Sequence, residues 1–209
     1  MLVRDIMSSP VAAVSPDTTL EDCYRAMRER DIRHLVVRDG DRVLGVVTDR
    51  DLRLATSVLA PRPFAPGSRV DSVMVRDPET ARPEDPVEDA ARVMRERKIG
   101  CLPVIEAGRA VGIVTSIDLL DALLRMTGVG KPTGRIEVRL TDRPGELARL
   151  TGFFASRGVS VRSVLTYPDA DDAVRTVLRI GSIETRPLAD VLRADGFDVV
   201  WPARKPWPQ

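Results

Sequence analysis

Histidine and cysteine are scarce in this sequence: His34 is the single histidine, and Cys23 and Cys101 are the two cysteines, among 209 residues. One imidazole supplies neither a His-rich metal site nor a nucleophile-base set, and two cysteines outside any CxxC pair build no structural zinc. HExxH, a P-loop GxxxxGKS or GxxxxGKT and GxGxxG are also missing, which removes the commonest zinc-protease, NTPase and dinucleotide signatures. Excess charge is absent too. With 32 Lys+Arg against 31 Asp+Glu the net charge is +1, so neither nucleic acid nor an anionic membrane is an expected partner. No apolar run reaches the roughly 18 residues of a membrane helix. The start, MLVRDIMSSP, lacks a charged-then-apolar leader pattern. What is there, 43% hydrophobic and 30% charged residues, describes a globular chain in a reducing, cytoplasmic setting with room for one large domain or two ordinary ones.

A duplication organises the first 125 residues. Sliding the chain by 67 positions lays Val3 to Leu54 over Val70 to Asp121 without a gap and matches roughly 19 of about 52 positions. Met27-Arg28-Glu29-Arg30 falls on Met94-Arg95-Glu96-Arg97, and Gly45 to Leu52 falls on Gly112 to Leu119 with Gly, Thr, Asp and Leu in one spacing. Local signals agree between the copies. Thr18 with Glu21 predicts a capping box, and Asp85-Pro86-Val87-Glu88 predicts an N-cap with proline at the first helical position. Leu20, Cys23, Tyr24 and Met27, like Val87, Ala90, Ala91 and Met94, form the apolar stripe of a helix, which makes Cys23 core. Two short strands joined at Asp39-Gly40-Asp41, or at Glu106-Ala107-Gly108, predict a hairpin. Thr48 and Thr115 then cap a second helix with Asp51 or Asp118 in its first turn.

These residues resemble the tandem CBS domain pair. The family's Met, short Pro-containing strand, helix, hairpin ending in G-h-h-T-x-x-D and closing helix are matched by Met7, Pro10, Val14 to Pro16 and Gly45 to Asp51, and again from Met74 to Asp118. The resemblance implies a pseudo-two-fold pair with two clefts, each able to hold an adenine nucleotide or related adenosyl ligand, with Mg2+ accompanying ATP.

Past Met126 to Gly134, rich in Gly, Pro and Thr and read as a flexible boundary, the pattern changes. Ile136, Val138 and Leu140 alternate as a strand. A helix carrying Leu147, Leu150, Thr151 and Phe154 ends at Gly158, strands near 159–166 and 173–180 flank the turn Pro168 to Asp172, and a helix from Thr185 or Arg186 to Ala194 precedes a strand from Phe197 to Trp201. The order βαββαβ is ferredoxin-like. Its first loop, Asp142-Arg143-Pro144-Gly145-Glu146-Leu147, resembles the D-x-P-G-x-L loop of ACT domains. The expected organisation is α+β: CBS repeats at 1–62 and 63–126, an ACT-like domain at 134–201, and a disordered tail at 202–209 holding three of the 16 prolines. The whole chain is similar to the AcuB-type acetoin-utilisation proteins, which implies regulation by small molecules.

The resemblance assigns Pro10, Val11, Ile32, His34, Thr48, Arg50 and Asp51, with Pro78, Ile99, Cys101, Thr115 and Asp118, to the nucleotide clefts. Physically, Asp51 and Asp118 suit the two hydroxyls of a ribose, while the threonines and the helix N-termini they open suit phosphate. A threonine cap with a first-turn aspartate is also ordinary helix chemistry, and His34 and Cys101 serve equally as packing. Arg50 precedes Asp51 where Ile117 precedes Asp118, so the cleft beside Arg50 is expected to take the phosphorylated ligand and the other a less charged one, or none. The loop from Asp142 to Leu147 opens a helix N-terminus suited to an amino-acid carboxylate, or makes only a turn. The expected protein is a non-catalytic ligand sensor and a homodimer, because the open face and edges of the second sheet and the small-residue helices of the pair call for cover; it would act on a protein target the sequence does not identify. The alternative is a docking or regulatory subunit of a metabolic, acetoin-related enzyme complex with vestigial clefts.

Overall fold

The computed structural model describes residues 1–169 and 172–204, which divide into two units, Met1–Ala122 and Leu123–Gln209. In the first unit the sequence order is β1 (Ala13–Val14), α1 (Leu20–Glu29), β2 (His34–Asp39), β3 (Arg42–Thr48), α2 (Asp49–Ala55), β4 (Val75–Arg76), α3 (Val87–Arg97), β5 (Cys101–Glu106), β6 (Arg109–Thr115) and α4 (Ser116–Thr127). Each copy thus yields the expected helix, hairpin and helix. The hairpins turn through left-handed Gly40 and Gly108, a conformation glycine adopts without a Cβ penalty.

Two helix starts differ from the sequence expectation. Thr19, not Thr18, caps α1: its Oγ1 accepts from Asp22 N at 3.1 Å and donates to Asp22 Oδ2 at 2.7 Å. Thr18 is otherwise engaged, since its carbonyl accepts from Val70 N at 2.8 Å. In the second copy Pro86 is itself the N-cap, and Asp85 turns back to accept from Arg82 N at 2.7 Å.

The compact lobes are not the two sequence copies. Val3 N donates to Asp85 O and Val87 N to Met1 O, while Val70 N donates to Thr18 O and Leu20 N to Ser68 O, so each copy's leading segment stitches onto the other copy's helix. Val3 is accordingly buried with Ala90, Met94 and Leu102, and Val70 with Leu20, Cys23 and Leu35. The exchange continues in the sheets. β4 completes the first sheet, β1-β2-β3-β4, by pairing Val75 with Val46, and Ser8 bridges Ile113 on β6 in the equivalent place. Two glycines permit it. A Cβ on Gly45 would lie 2.5 Å from Val75 O, and one on Gly112 2.9 Å from Ser8 O, with Met74 Sδ and Met7 Sδ each 2.8 Å away. Between the lobes Val36, Val46, Cys101 and Ile113 form a buried seam.

The second unit places β7 (Gly134–Thr141), α5 (Glu146–Ser156), β8 (Val161–Pro168), β9 (Ala173–Ile180), α6 (Arg186–Ala194) and β10 (Asp198–Trp201) in an antiparallel sheet of order β10-β7-β9-β8. This is the βαββαβ order expected. Ile136, Val138 and Leu140 alternate onto one face and meet Leu150, Phe154, Ala189 and Leu192 from the helices. The α4 end is closed by Gly128 at φ 71°, with Val129 N donating to Leu124 O, a Schellman-type stop inside the stretch expected to be a flexible boundary. Of the proposed tail, Pro202 is buried and its carbonyl accepts from Arg193, so disorder does not begin there. Residues 205–209, like 170 and 171 of the expected turn, lie outside the described residues.

The open face of this sheet carries a charged network beside the apolar Val177 and Leu165. Glu137, 7% exposed, accepts from Arg135 at 2.7 Å, Arg175 at 3.0 Å and Tyr167 at 2.9 Å, and Asp169 accepts from Arg139 and Arg175. Burial pushes the Glu137 carboxyl up, yet the hydrogen bonds from Arg135, Tyr167 and Arg175 outweigh it and hold the group below its ordinary 4.5. Because its folded value lies below its unfolded one, Glu137 stabilises the fold above about pH 4.5, and that contribution is lost as pH falls through the folded value. Glu137→Leu removes the partner of Arg135 and Tyr167, while Arg175 keeps Asp169, and is expected to cost about 2 kcal/mol in denaturant unfolding at neutral pH. Its stability should also fall less steeply than the wild type's as the pH is lowered from about 5 to about 3.

Candidate functional site

Each T-x-x-D corner is built by a strand running into a helix. Thr48 ends β3 in extended conformation and caps α2; its Oγ1 accepts from Asp51 N at 3.1 Å, while Asp51 Oδ2 accepts from Thr48 N at 2.9 Å and from Thr48 Oγ1 at 2.7 Å. Thr115 and Asp118 repeat this with Oδ2 contacts of 2.7 and 2.7 Å. The threonine and aspartate are therefore mutual caps, as ordinary helix chemistry requires. Capping consumes one carboxylate oxygen only. Oδ1 of Asp51 and Oδ1 of Asp118 accept no hydrogen bond among the described residues, and both aspartates are half-buried, so a fixed acceptor faces outward at each corner.

Strand register brings the two corners toward one end of the seam. His34 pairs with Thr48 and Cys101 with Thr115, and His34 Nε2 lies 3.3 Å from where a Cβ on Gly100 would be, so the imidazole of one lobe rests on the other lobe's backbone. Burial lowers the His34 pKa below 6.5; Asp49, Asp51 and Asp118 oppose that shift, which puts both corner carboxylates within electrostatic reach of one ring. Cys101 is pushed up to about 12 by burial and by Asp51, and Cys23 to about 11 by burial, so both are protonated packing groups rather than nucleophiles at neutral pH.

Arg50 is exposed and makes no ion pair among the described residues, whereas Ile117 at the equivalent place is 61% exposed and offers no charge. Ile32 and Ile99 pack against the two lobe cores. Val11 packs on the seam, and Pro10 is exposed next to Ser9, whose hydroxyl donates to Val111 O at 2.8 Å. Pro78 lies with Arg42, Val43 and Asp77 in a groove of about 340 Å3. What sequence reading missed is the exchanged segment: Met74 and Val75 cover Gly45 beside the first corner, and Met7 and Ser8 cover Gly112 beside the second. The repeated glycine was the available signal.

In the second unit, Gly145 at φ 93° is the N-cap of α5, and Asp142, Arg143, Pro144 and Leu147 are exposed. The loop is less open to a carboxylate than expected. Asp142 N donates to Asp172 O, Arg143 N to Thr141 O and Glu146 N to Arg143 O, while the Glu146 carboxylate pairs with Arg149 at 2.9 Å. Among the described residues this leaves the amides of Gly145 and Leu147 as the loop's unused donors.

The CBS domain family matches residues 3–57 and 70–125, and the ACT domain family matches 134–196. A CBS domain-containing protein of Dictyostelium discoideum is 37% identical over 139 residues, covering 60% of this chain and 93% of its own. Homoserine O-acetyltransferase of Methanohalobium evestigatum is 32% identical over 56% of this chain, but the match spans only 23% of that enzyme. Among solved structures, an acetoin utilization protein (AcuB) from Vibrio cholerae superposes at TM-score 0.52 with 31% identity over 63% of this chain and 98% of its own. CBSX2 in complex with AMP superposes at TM-score 0.54, 27% identical over 62% of this chain and 99% of its own. The CBS domain pair of MJ0100 in complex with 5'-methylthioadenosine and S-adenosyl-L-methionine does so at 0.53, 26% identical over 59% and 95%. No helix among the described residues is long and apolar enough to cross a membrane.

Proposed function

Since the chain belongs to the CBS domain family, as a CBS pair followed by an ACT domain, we propose that it is a non-catalytic regulatory protein that senses an adenine nucleotide or related adenosyl ligand in its CBS pair. The observation carrying this reading is the corner built twice, in which capping fixes one carboxylate oxygen and leaves the other outward. Ribose hydroxyls donate to the free Oδ1, and phosphate oxygens meet the N-terminal amides of the helix that Thr48 or Thr115 opens. Related pairs solved with AMP, or with 5'-methylthioadenosine and S-adenosyl-L-methionine, support the same ligand class. The corner beside Arg50 takes the phosphorylated ligand and the other a less charged one or none, because a guanidinium binds phosphate in a bidentate fork and Ile117 cannot. Binding then shifts a conformational or assembly equilibrium that a protein target reads. The ACT loop, with two unused amides, is a site for an amino-acid carboxylate.

Thermal unfolding tests the reading: AMP at about 100 times its Kd should stabilise the chain by about 2.7 kcal/mol, a rise of several degrees, and guanosine monophosphate should do less. A flat response to every adenine ligand favours the docking-subunit alternative. That alternative, a docking or regulatory subunit of an acetoin-related enzyme complex, draws on the similarity to the acetoin utilization protein from Vibrio cholerae. The chain acts as a homodimer in either case, through exposed apolar side chains such as Ile117, Leu120 and Leu124 on α4 and Val164 and Leu165 on the edge strand β8. Light scattering should give about twice 23.0 kDa at micromolar concentration; a mass near 23.0 kDa contradicts the dimer.

A further inference from the structure

The second unit carries a groove of about 650 Å3 between α6 and the chain that follows β10, within the size range of small-ligand sites. Its polar lining is Arg186, Asp190, Arg193 and Arg204, and prolines 187 and 202 form its walls. The groove's one carboxylate, Asp190, accepts from Arg193 at 2.9 Å through Oδ1, and Arg193, 10% exposed, is held further by the carbonyls of Val199 and Pro202. Arg186 and Arg204 are exposed and make no ion pair among the described residues, and both line the same concavity as Arg193.

The helix adds to that field. Among the described residues α6 is the one helix of six with no acid in its first turn; Thr185 gives no side-chain cap, and Arg186 stands at the first position. A positive helix end usually draws Asp or Glu, and here it draws arginine. With Arg186 at that end and Arg193 and Arg204 lining the same groove, three guanidiniums face one carboxylate, a field that favours an anion. We propose that this groove binds a multiply charged phosphate-type oxyanion, with Arg186 and Arg204 as its two forks and Arg193 as the buried cation that fixes the floor.

The test separates this site from the CBS corners by working in the full-length Asp51→Ala/Asp118→Ala variant, titrated by calorimetry with inorganic pyrophosphate. Saturable binding that weakens as salt rises is expected, with at least a tenfold loss when Arg186→Gln and Arg204→Gln are added. The Arg186→Lys/Arg204→Lys pair keeps the charge but not the fork and should fall in between. Both arginines are exposed, so circular dichroism should show the fold unchanged. No binding up to about 10 mM pyrophosphate, or binding indifferent to both arginine pairs, would overturn the proposal.

Discussion

Asp51→Ala is expected to weaken binding of AMP or ATP by roughly 10- to 150-fold, the equivalent of about 1.5 to 3 kcal/mol for hydrogen bonds to a charged acceptor. The same change removes the partner of Thr48 N and Thr48 Oγ1 and so costs about 1 kcal/mol of stability through the lost capping box. The two effects are separable. The cap loss is read in denaturant unfolding without ligand, and the binding loss in titrations under conditions where the variant is folded. Asp118→Ala should cost similar stability but less affinity for a phosphorylated ligand, since Ile117 stands where the first corner has Arg50. Equal affinity losses at the two corners would mean that Arg50 does not select the phosphate.

Gly45→Val should destabilise the first unit by about 3 kcal/mol, at the upper end for inserted side chains, because what it meets is backbone. The new Cβ would stand 2.5 Å from Val75 O, and Val75 is held there by its pairing with Val46 on the same strand. The exchanged segment must leave its place or the hairpin must bend. Gly112→Val should behave alike, with 2.9 Å to Ser8 O. Gly67→Ala is the control, since its Cβ meets nothing within 4 Å. A lower urea midpoint at unchanged slope is the expected signature, and a Gly45→Val midpoint equal to that of Gly67→Ala would refute the packing argument.

Much of the architecture was legible because the elements are short and locally specified. The 67-residue offset, the stripe Leu20, Cys23 and Met27, and the alternation Ile136, Val138 and Leu140 each describe an element the structure contains. The start of α1 was misread by one residue because Thr18 and Thr19 both have an acid three residues on, Glu21 and Asp22. The tie is broken by a long-range contact, Val70 N to Thr18 O, that no local window contains. The exchange of leading segments was hidden for the same reason: a gapless repeat says what is duplicated, not which copy completes which core. Arg135, Arg139 and Arg175 carry no local signal of a partner; only strand register sets them around Glu137 and Asp169.

At the candidate site the corners were legible as Thr48 with Asp51 and Thr115 with Asp118. Their division of labour was not, because the choice between capping and ligand binding depends on which carboxylate oxygen is used. The structure assigns Oδ2 to the cap at both corners. Of the cleft residues inferred from resemblance, His34 and Cys101 pair with the corner threonines, Ile32 and Ile99 pack on the lobe cores, and Pro78 lines a groove with Arg42 and Val43.

Calorimetric titration of the full-length wild-type chain with AMP and ATP tests the central claim most directly. Saturable binding at no more than two sites per chain, with the tightest site lost in Asp51→Ala, is the predicted result. Absence of any heat or fluorescence response at about millimolar nucleotide would contradict it.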